Sequence, residues 1–532
     1  MSREESKKLF VRETSGLVRT LNGRDVFLMN FMYLAPAASI AYPLTFAFFF
    51  PGANWILATV IGALLALPTA MMYYYISRLT PKTAADYIYV SRYLGPRVGL
   101  IQALVNLFGY GIGIDVQTEM SLVIVPFFQA IGVAFHNQGL INLGNELISN
   151  TTYYFAFTTL MILLVGLVMV FSIKWVARVI SSLTILQIVG TIAIIILLAY
   201  IGKGGFVSAF NSLSSEFKGP YYSDLVSSSI PPFSLFGTLM LGIMIMGNLF
   251  IYNNAPVWVG GEVKKGYKTI RAGILYSYVV AAIISVILVY IIVADIGQRF
   301  FLYTSVNGWT TSSGSGIPIA PYSLLAYVII PAIHNIPLLL LLLISGLTWY
   351  ISYALIGAVA GIRAMFAASF DRMLPEKFAD VSVRLKSPYV STLVFLAIAL
   401  IFNYLEIYQG FSLSLMFGVI SYMLFQYFIA SLGALKLSKK EKNEITSKLL
   451  ITSILSIIAV GSAVGLMLGY GILTYTPNGF GYDLFSGNII PSVSLLAGIV
   501  ITAEVWYEIV KWYRMKKDGI DIRMVFTEIP PD

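Results

Sequence analysis

The feature that most constrains this chain is a succession of apolar stretches, each close to the roughly 20 residues a helix needs to cross a bilayer. We count twelve, at approximately 25–50, 54–77, 98–132, 153–173, 176–201, 235–260, 270–297, 336–363, 389–405, 411–435, 449–474 and 489–512. In hydrocarbon every backbone amide and carbonyl needs an internal partner, so such stretches become helices. Only 11% of the 532 residues are charged and 58% are hydrophobic, whereas a soluble domain carries about 25% charged residues. The expectation is an all-α polytopic membrane protein of twelve transmembrane helices, with the lipid bilayer as its solvent. A further apolar segment, 321–333, is too short and too proline-bounded to cross. It reads as a helix in an external loop, with a re-entrant segment as the alternative.

Charge placement orients the spans, because cytosolic loops gather Lys and Arg. With both termini inside, all of the 34 Lys and Arg except Lys203, Lys218 and Arg299 fall on cytosolic segments. This implies a cytosolic tail over 1–24, a cytosolic loop over 436–448 and a cytosolic tail over 513–532, in a plasma-membrane protein. The first 24 residues hold Arg3, Lys7, Lys8, Arg12, Arg19 and Arg24 without an apolar run behind a cleavage site, unlike a signal peptide. The net charge of +9 therefore belongs to the inner face and does not point to nucleic acid. Cysteine is absent and the two histidines, His136 and His334, are far apart. Disulfides and thiol chemistry are excluded, and neither a metal site nor a cofactor is expected.

Two spans are interrupted. Span six, Gly237 to Gly261, carries Gly247, Asn248, Tyr252, Asn253, Asn254 and Pro256 at its middle. Pro256 has no amide hydrogen and its ring clashes with the carbonyl four residues back, at Tyr252. Span one carries Ala35-Pro36-Ala37-Ala38-Ser39, followed by Pro43. Broken helices at corresponding positions point to a transporter's binding site. The five-span offset suits an inverted repeat of five plus five helices over 25–201 and 235–435, a ten-helix core at 25–435. Spans eleven and twelve (449–512) then serve packing or dimer contact, and monomer and homodimer both stay open.

Three cytosolic motifs add a resemblance. They are Pro81-Lys82-Thr83-Ala84-Ala85-Asp86-Tyr87 with Leu94-Gly95-Pro96-Arg97, Gly261-Glu262-Val263-Lys264-Lys265 with Ile270-Arg271-Ala272-Gly273, and Arg363-Ala364-Met365-Phe366-Ala367 with Asp371-Arg372-Met373-Leu374-Pro375. In this order they resemble the signatures of amino acid–polyamine–organocation permeases, over roughly residues 20 to 435. The resemblance implies a LeuT-like fold, substrate between the breaks of spans one and six, and secondary active transport of amino acids or related amines driven by H+ or Na+. It departs at span one, where many members carry Gly-x-Gly and this chain has Pro36-Ala37-Ala38-Ser39; an alanine Cβ restricts left-handed conformations. Gln187 stands where some proton-coupled members have a lysine, so that proton switch is absent.

The candidate substrate-binding residues are Ala35, Pro36, Ala37, Ala38, Ser39, Tyr252, Asn253 and Asn254, whose amides, carbonyls and polar side chains suit a zwitterion. Each also suits mending of its own helix break. Asp115 and Glu119 sit four apart, on one face of span three; intramembrane carboxylates are costly and mark function by default. A proton or cation relay, selection of a cationic substrate and a structural acid all remain open for them. Gln187, Ser345, Thr348 and Ser352 complete the coupling candidates; the resemblance places a sodium site between spans one and eight, while such hydroxyls also bond their own helix. Glu262, Lys264 and Arg363 read as gate or loop charges, and Arg24, Asp25 and Asp86 likewise as solvated or weakly paired. The rival functions are a membrane-embedded enzyme such as a lipid-linked transferase, which would want an acidic motif in an external loop, and a passive channel or transporter-like sensor. The external acids Glu146, Glu216, Asp224, Glu406 and Asp483 form no such motif.

Overall fold

The structure, a computed structural model, describes residues 10–11, 14–45, 47–109, 112–226, 232–264, 267–311, 316–409, 416–440, 443–473 and 489–530. Arg3, Lys7, Lys8, Arg12, Lys265 and Asp483 lie outside them. Among the described residues, ten helical runs are long and apolar enough to cross a membrane. They coincide with apolar stretches one to nine and eleven; the other two stretches fall on the helices Met416–Ser438 and Ile489–Asp518. Extended pairing among the described residues is confined to two isolated bridges, Leu21 with Val263 and Thr83 with Val259.

Burial ranks the spans. In spans one and six, 89% and 78% of the membrane window is buried inside the protein, against 28% in spans four, five and nine. Spans one and six are therefore central, and spans four, five and nine face outward. Lipid-facing positions such as Leu160, Leu164, Ile192 and Ile196 stay exposed and apolar, as a hydrocarbon solvent requires.

Spans five and seven end where expected, and each is followed by a further helix. The helical run Ile173–Glu216 is two helices that meet at a kink at Gly202 (φ 57°, ψ −174°), next to the expected end at 201. Glycine reaches that conformation without a Cβ penalty, and the continuation is held by Phe206 and Phe210, edge-on to Phe300 at 5.8 and 4.9 Å. Span seven ends in the same way at Gly297 (φ 95°, ψ 125°), and a separate helix, Gln298–Asn307, follows. The 321–333 segment forms the helix expected between spans seven and eight, but not one lying at the surface. Its helix Leu324–Ile329 and the 3-10 turn Ile330–Ala332 are buried in the bundle. Ser323 Oγ donates to the Leu122 carbonyl at 2.8 Å, and Tyr327 stacks on Phe301 at 4.6 Å. An all-apolar segment has no polar face to show to water, so it packs inward.

The end of the chain is folded as well. Beyond Asp518 a short helix, Ile522–Val525, starts at Asp521 and buries Ile522 and Val525. Arg92 lies over the Phe526 ring at 5.1 Å and donates from Nε to the Glu528 carbonyl at 3.0 Å.

Candidate functional site

The first helix, Gly23–Leu34, opens on a capping box. The Asn22 side chain accepts from the Arg24 and Asp25 amides, while Asp25 accepts from the Asn22 amide at 3.0 Å. This uses Asp25 locally. The helix ends at Ala35, which is left-handed at φ 35°, ψ 67°, despite the Cβ. That conformation costs a non-glycine residue about 1–2 kcal/mol. Pro36 then starts the short helix Pro36–Ser39, where a missing amide hydrogen is not needed.

Span six breaks in a similar way. Its first half is Leu235–Ile245, followed by a π-helical turn, Met246–Phe250, and non-helical backbone at Tyr252–Asn254. A new helix, Ala255–Trp258, begins with Pro256 in its first turn. Pro256 thus sits where a helix starts, which removes its clash with the Tyr252 carbonyl.

The two breaks face each other. Asn248 Nδ2 donates to the Ser39 carbonyl at 3.0 Å. The Tyr33 ring lies 5.0 Å from Tyr252 and 5.1 Å from Trp258. From span eight, Tyr350 donates its hydroxyl to the Ala38 carbonyl at 3.3 Å, and Tyr353 donates to that of Leu34 at 3.3 Å. The Tyr353 and Ser39 hydroxyls are bonded to each other. Carbonyls freed by the first break are thus taken up by side chains. In the second, Asn253 Nδ2 donates to the Phe250 carbonyl at 2.9 Å and Tyr427 donates to Asn254 Oδ1 at 2.8 Å. Asn253 Oδ1 and Asn254 Nδ2 are buried with no hydrogen-bond partner among the described residues. Buried orphans of this kind are few in folded proteins, and each calls for an explanation.

The acids of span three have separate surroundings. Span eight is itself discontinuous, with helices Ile336–Gly346 and Trp349–Phe370. Glu119, buried, accepts from the Tyr350 amide at 3.0 Å, and the Ile351 amide also faces it. Tyr350 and Ile351 are in the first turn of the second helix. A carboxylate from span three therefore caps span eight, at the end where the helix dipole favours negative charge. Asp115, one turn earlier, is half-buried and acts on Tyr353.

The four polar candidates of spans five and eight come together. Gln187 Nε2 donates to the Thr348 carbonyl at 2.7 Å and to Ser352 Oγ at 3.1 Å. Ser345 Oγ donates to the Leu186 carbonyl at 3.1 Å, and Thr348 Oγ1 to that of Ser345 at 2.7 Å. Gly190 admits this approach: a Cβ there would stand 1.9 Å from Ser345 Oγ. The cluster lies on the span-five side of span eight and ties the two helices together.

At the C-terminal end of span six, Glu262 and Arg363 form a two-pronged pair, Nε to Oε1 at 2.9 Å and the second nitrogen to Oε2 at 3.2 Å, with both side chains buried. The expectation of a solvated, weak pair is wrong for them, because the N-terminal segment covers the site. The Thr20 and Leu21 amides donate to the Glu262 carbonyl at 2.9 and 3.0 Å, and the Lys264 amide to that of Leu21 at 2.8 Å. The Lys264 side chain is exposed and takes no part in the pair; Arg24 is exposed too. Arg92 and Asp371 form a second buried pair, at 2.7 Å for one prong.

Sequence reasoning missed two things here. Tyr33, Tyr350 and Tyr353 disappeared into the aromatic excess of 34 Tyr and 34 Phe; the place of Tyr350 and Tyr353 beside the hydroxyl cluster was the available signal. Asp86, expected at a solvated loop, is fully buried. Nothing in its local spacing distinguishes it from a surface acid.

A multi-pass helical membrane protein with two opposed helix breaks at its centre belongs to the architecture of transporters. The chain belongs to the amino acid permease family, whose model matches residues 26–482, within the amino acid–polyamine–organocation superfamily. The match extends through span eleven, beyond residue 435 where the motif resemblance ends. Membership points to a secondary transporter rather than an enzyme. An uncharacterized protein 399 of Sulfolobus islandicus rod-shaped virus 1 is 23% identical over 459 residues, covering 86% of this chain and 88% of its own. Among solved structures, the substrate-bound outward-open state of a Na+-coupled sialic acid symporter aligns over 92% of this chain and 90% of its own, at 14% identity and a TM-score of 0.45. Likeness at that level says nothing about the solute or ion handled here.

Proposed function

We propose that this protein moves an amino acid or a related small amine across the plasma membrane by alternating access, with H+ as the coupling ion. The supporting observation is the pair of buried, unpartnered atoms at the span-six break, Asn253 Oδ1 and Asn254 Nδ2. One accepts and one donates, which is what a zwitterion requires of its site. The substrate sits between Ala35–Ser39 and Tyr252–Asn254. Tyr33 supplies an aromatic wall, and the left-handed Ala35 sets the turn between the two pieces of span one.

In this reading 25–435 is the transport core, in two inverted repeats over 25–201 and 235–435, with both termini in the cytosol. Glu262–Arg363 closes the inner mouth. Asp115 is the acid nearest the substrate, through Tyr353 and Ser39; Glu119 is a helix cap. The Gln187, Ser345, Thr348 and Ser352 cluster joins helices, since its hydroxyl hydrogens already go to carbonyls.

The test is uptake into proteoliposomes under imposed proton or sodium gradients, with a panel of radiolabelled amino acids and polyamines. Accumulation above the external concentration under an inward proton gradient is expected. Equilibration without accumulation identifies a passive pathway and overturns secondary active transport; accumulation driven by sodium alone overturns the proton assignment.

A further inference from the structure

Asp86 is the acid the transport reading leaves unused, and its surroundings are unlike those of any other carboxylate described above. It lies in the first turn of the helix Ala85–Tyr93, between spans two and three, and is fully buried. Its Oδ2 accepts from three neutral donors, each at 3.3 Å: Asn106 Nδ2 of span three, Trp258 Nε1 of span six and Gln426 Nε2 of span ten. Oδ1 accepts from the Tyr87 amide at 2.9 Å. No guanidinium or ammonium reaches it among the described residues. The nearby charges, Arg92 and Asp371, are paired with each other and act on Tyr87. The other titratable groups facing it are Tyr89 on its own helix and, through Tyr89, Tyr73 of span two and Tyr427 of span ten. Burial pushes the Asp86 carboxyl above its ordinary range, and the neutral donors offset only part of that.

Trp258 is the last residue of the inner half-helix of span six, and the same helix end is held to the Asp86 loop by backbone. The Ala84 amide donates to the Trp258 carbonyl at 2.9 Å, and Thr83 bridges Val259. One oxygen that accepts from three N–H groups can do so only while it carries no proton. Protonated there, it turns from acceptor to donor and confronts three donors; protonated at Oδ1, the group loses its charge and all three bonds weaken to those of a neutral carbonyl.

We propose that Asp86 is a proton-binding site whose occupancy releases Trp258 and so frees the inner half of span six from the loop that closes the cytosolic mouth. The proton adds to a carboxylate oxygen from solvent, and a cavity lined by Arg19, Lys82, Thr83 and Gly261 reaches the loop that carries Asp86. It leaves by the same route, and no other bond is made or broken. This rests on the transport reading for its purpose, but the switch operates without substrate.

The chain has no cysteine, so a single Thr83→Cys reports on the inner mouth, and its alkylation by a charged maleimide needs no solute. Loss of a hydrogen bond to a charged group shifts such an equilibrium about tenfold or more. Thr83→Cys is therefore expected to react about tenfold faster in acidic than in neutral buffer, and Thr83→Cys/Asp86→Asn to react at the fast rate in both. An unchanged pH profile in the Asp86→Asn background overturns the proposal, as does a flat profile with Asp86 intact. Should Asp86→Asn fail to give monodisperse protein, Trp258→Phe carries the test. It removes the indole N–H, keeps the acid, and is expected to speed alkylation at neutral pH; a rate equal to that of Thr83→Cys alone overturns the proposal. Failed uptake with an intact pH response would instead count against the transport reading.

Discussion

Glu262 and Asp86 are two fully buried carboxylates beside the C-terminal end of span six, and they are held in opposite ways. Glu262 faces Arg363 in a two-pronged ion pair, and the N-terminal segment donates to its backbone carbonyl. Asp86 faces amides and an indole, all neutral. A buried charge with a matched partner keeps its charge, because losing it would strand the partner. A buried charge supplied only with dipoles is held less firmly, so a proton competes for it. One side of the inner mouth is thus a clamp and the other a group able to titrate. The mid-membrane breaks lie between them in kind: no ion pair, but polar atoms left without partners.

The strongest way to break this comparison is to remove half of the clamp. Arg363→Ala leaves Glu262 buried and unpaired and is expected to cost about 3–5 kcal/mol, read as a lowered thermal unfolding midpoint in detergent. Glu262→Gln/Arg363→Met should lose much less than Arg363→Ala; if it loses as much, the pair is not what holds the mouth. Next comes the cap. Glu119→Ala is expected to cost about 1–3 kcal/mol, since buried amides lose their acceptor, while Glu119→Gln, which keeps an oxygen in place, recovers most of it. Equal losses in both variants would return Glu119 to the titrating class.

Asp86 sharpens the comparison through pH. Its carboxyl is raised in the folded protein by burial, so the sign is that of a group favouring its protonated form. The stability it contributes is fully present below the ordinary aspartate range and is lost as pH rises through the raised value. Melting curves against pH should show that loss in the native chain, and Asp86→Asn should remove it. The local grip on Trp258 weakens over the same window in which global stability rises, as a switch requires.

Smaller effects come from the breaks. Ala35→Gly relieves the left-handed strain and is expected to stabilise by about 1 kcal/mol. Tyr427→Phe strands Asn254 Oδ1 at a cost of about 0.5–1.5 kcal/mol, and should change the uptake KM more than the unfolding midpoint. Were neither to alter uptake, the breaks would be packing features.

Much of the fold was readable because the bilayer permits so little. An apolar run of about 20 residues has one way to satisfy its backbone, so the positions of the apolar runs translate directly into helices. Proline and asparagine at Pro36, Asn253 and Asn254 marked where helices end, for the local reason that proline lacks a hydrogen. The spread of Lys and Arg likewise required no tertiary knowledge. That segment 321–333 packs inward beside Phe301 and Leu122 was not legible, because length and proline content say only whether a helix can cross.

Partnership was what the linear text could not contain. Glu262, Asp86, Asp115 and Glu119 are the same chemical group, and nothing adjacent in the chain says which meets a guanidinium, which an indole and which a helix end. Those partners lie far away, Arg363 beyond residue 360, Gln426 beyond 420 and Tyr350 on another span, and only packing brings them near. The sequence by itself determined the membrane, the helices and two of the places where they break, because those follow from local hydropathy and backbone chemistry. The tertiary structure alone decided what each buried charge is for, because the energy of a charge away from water depends on the atoms that surround it.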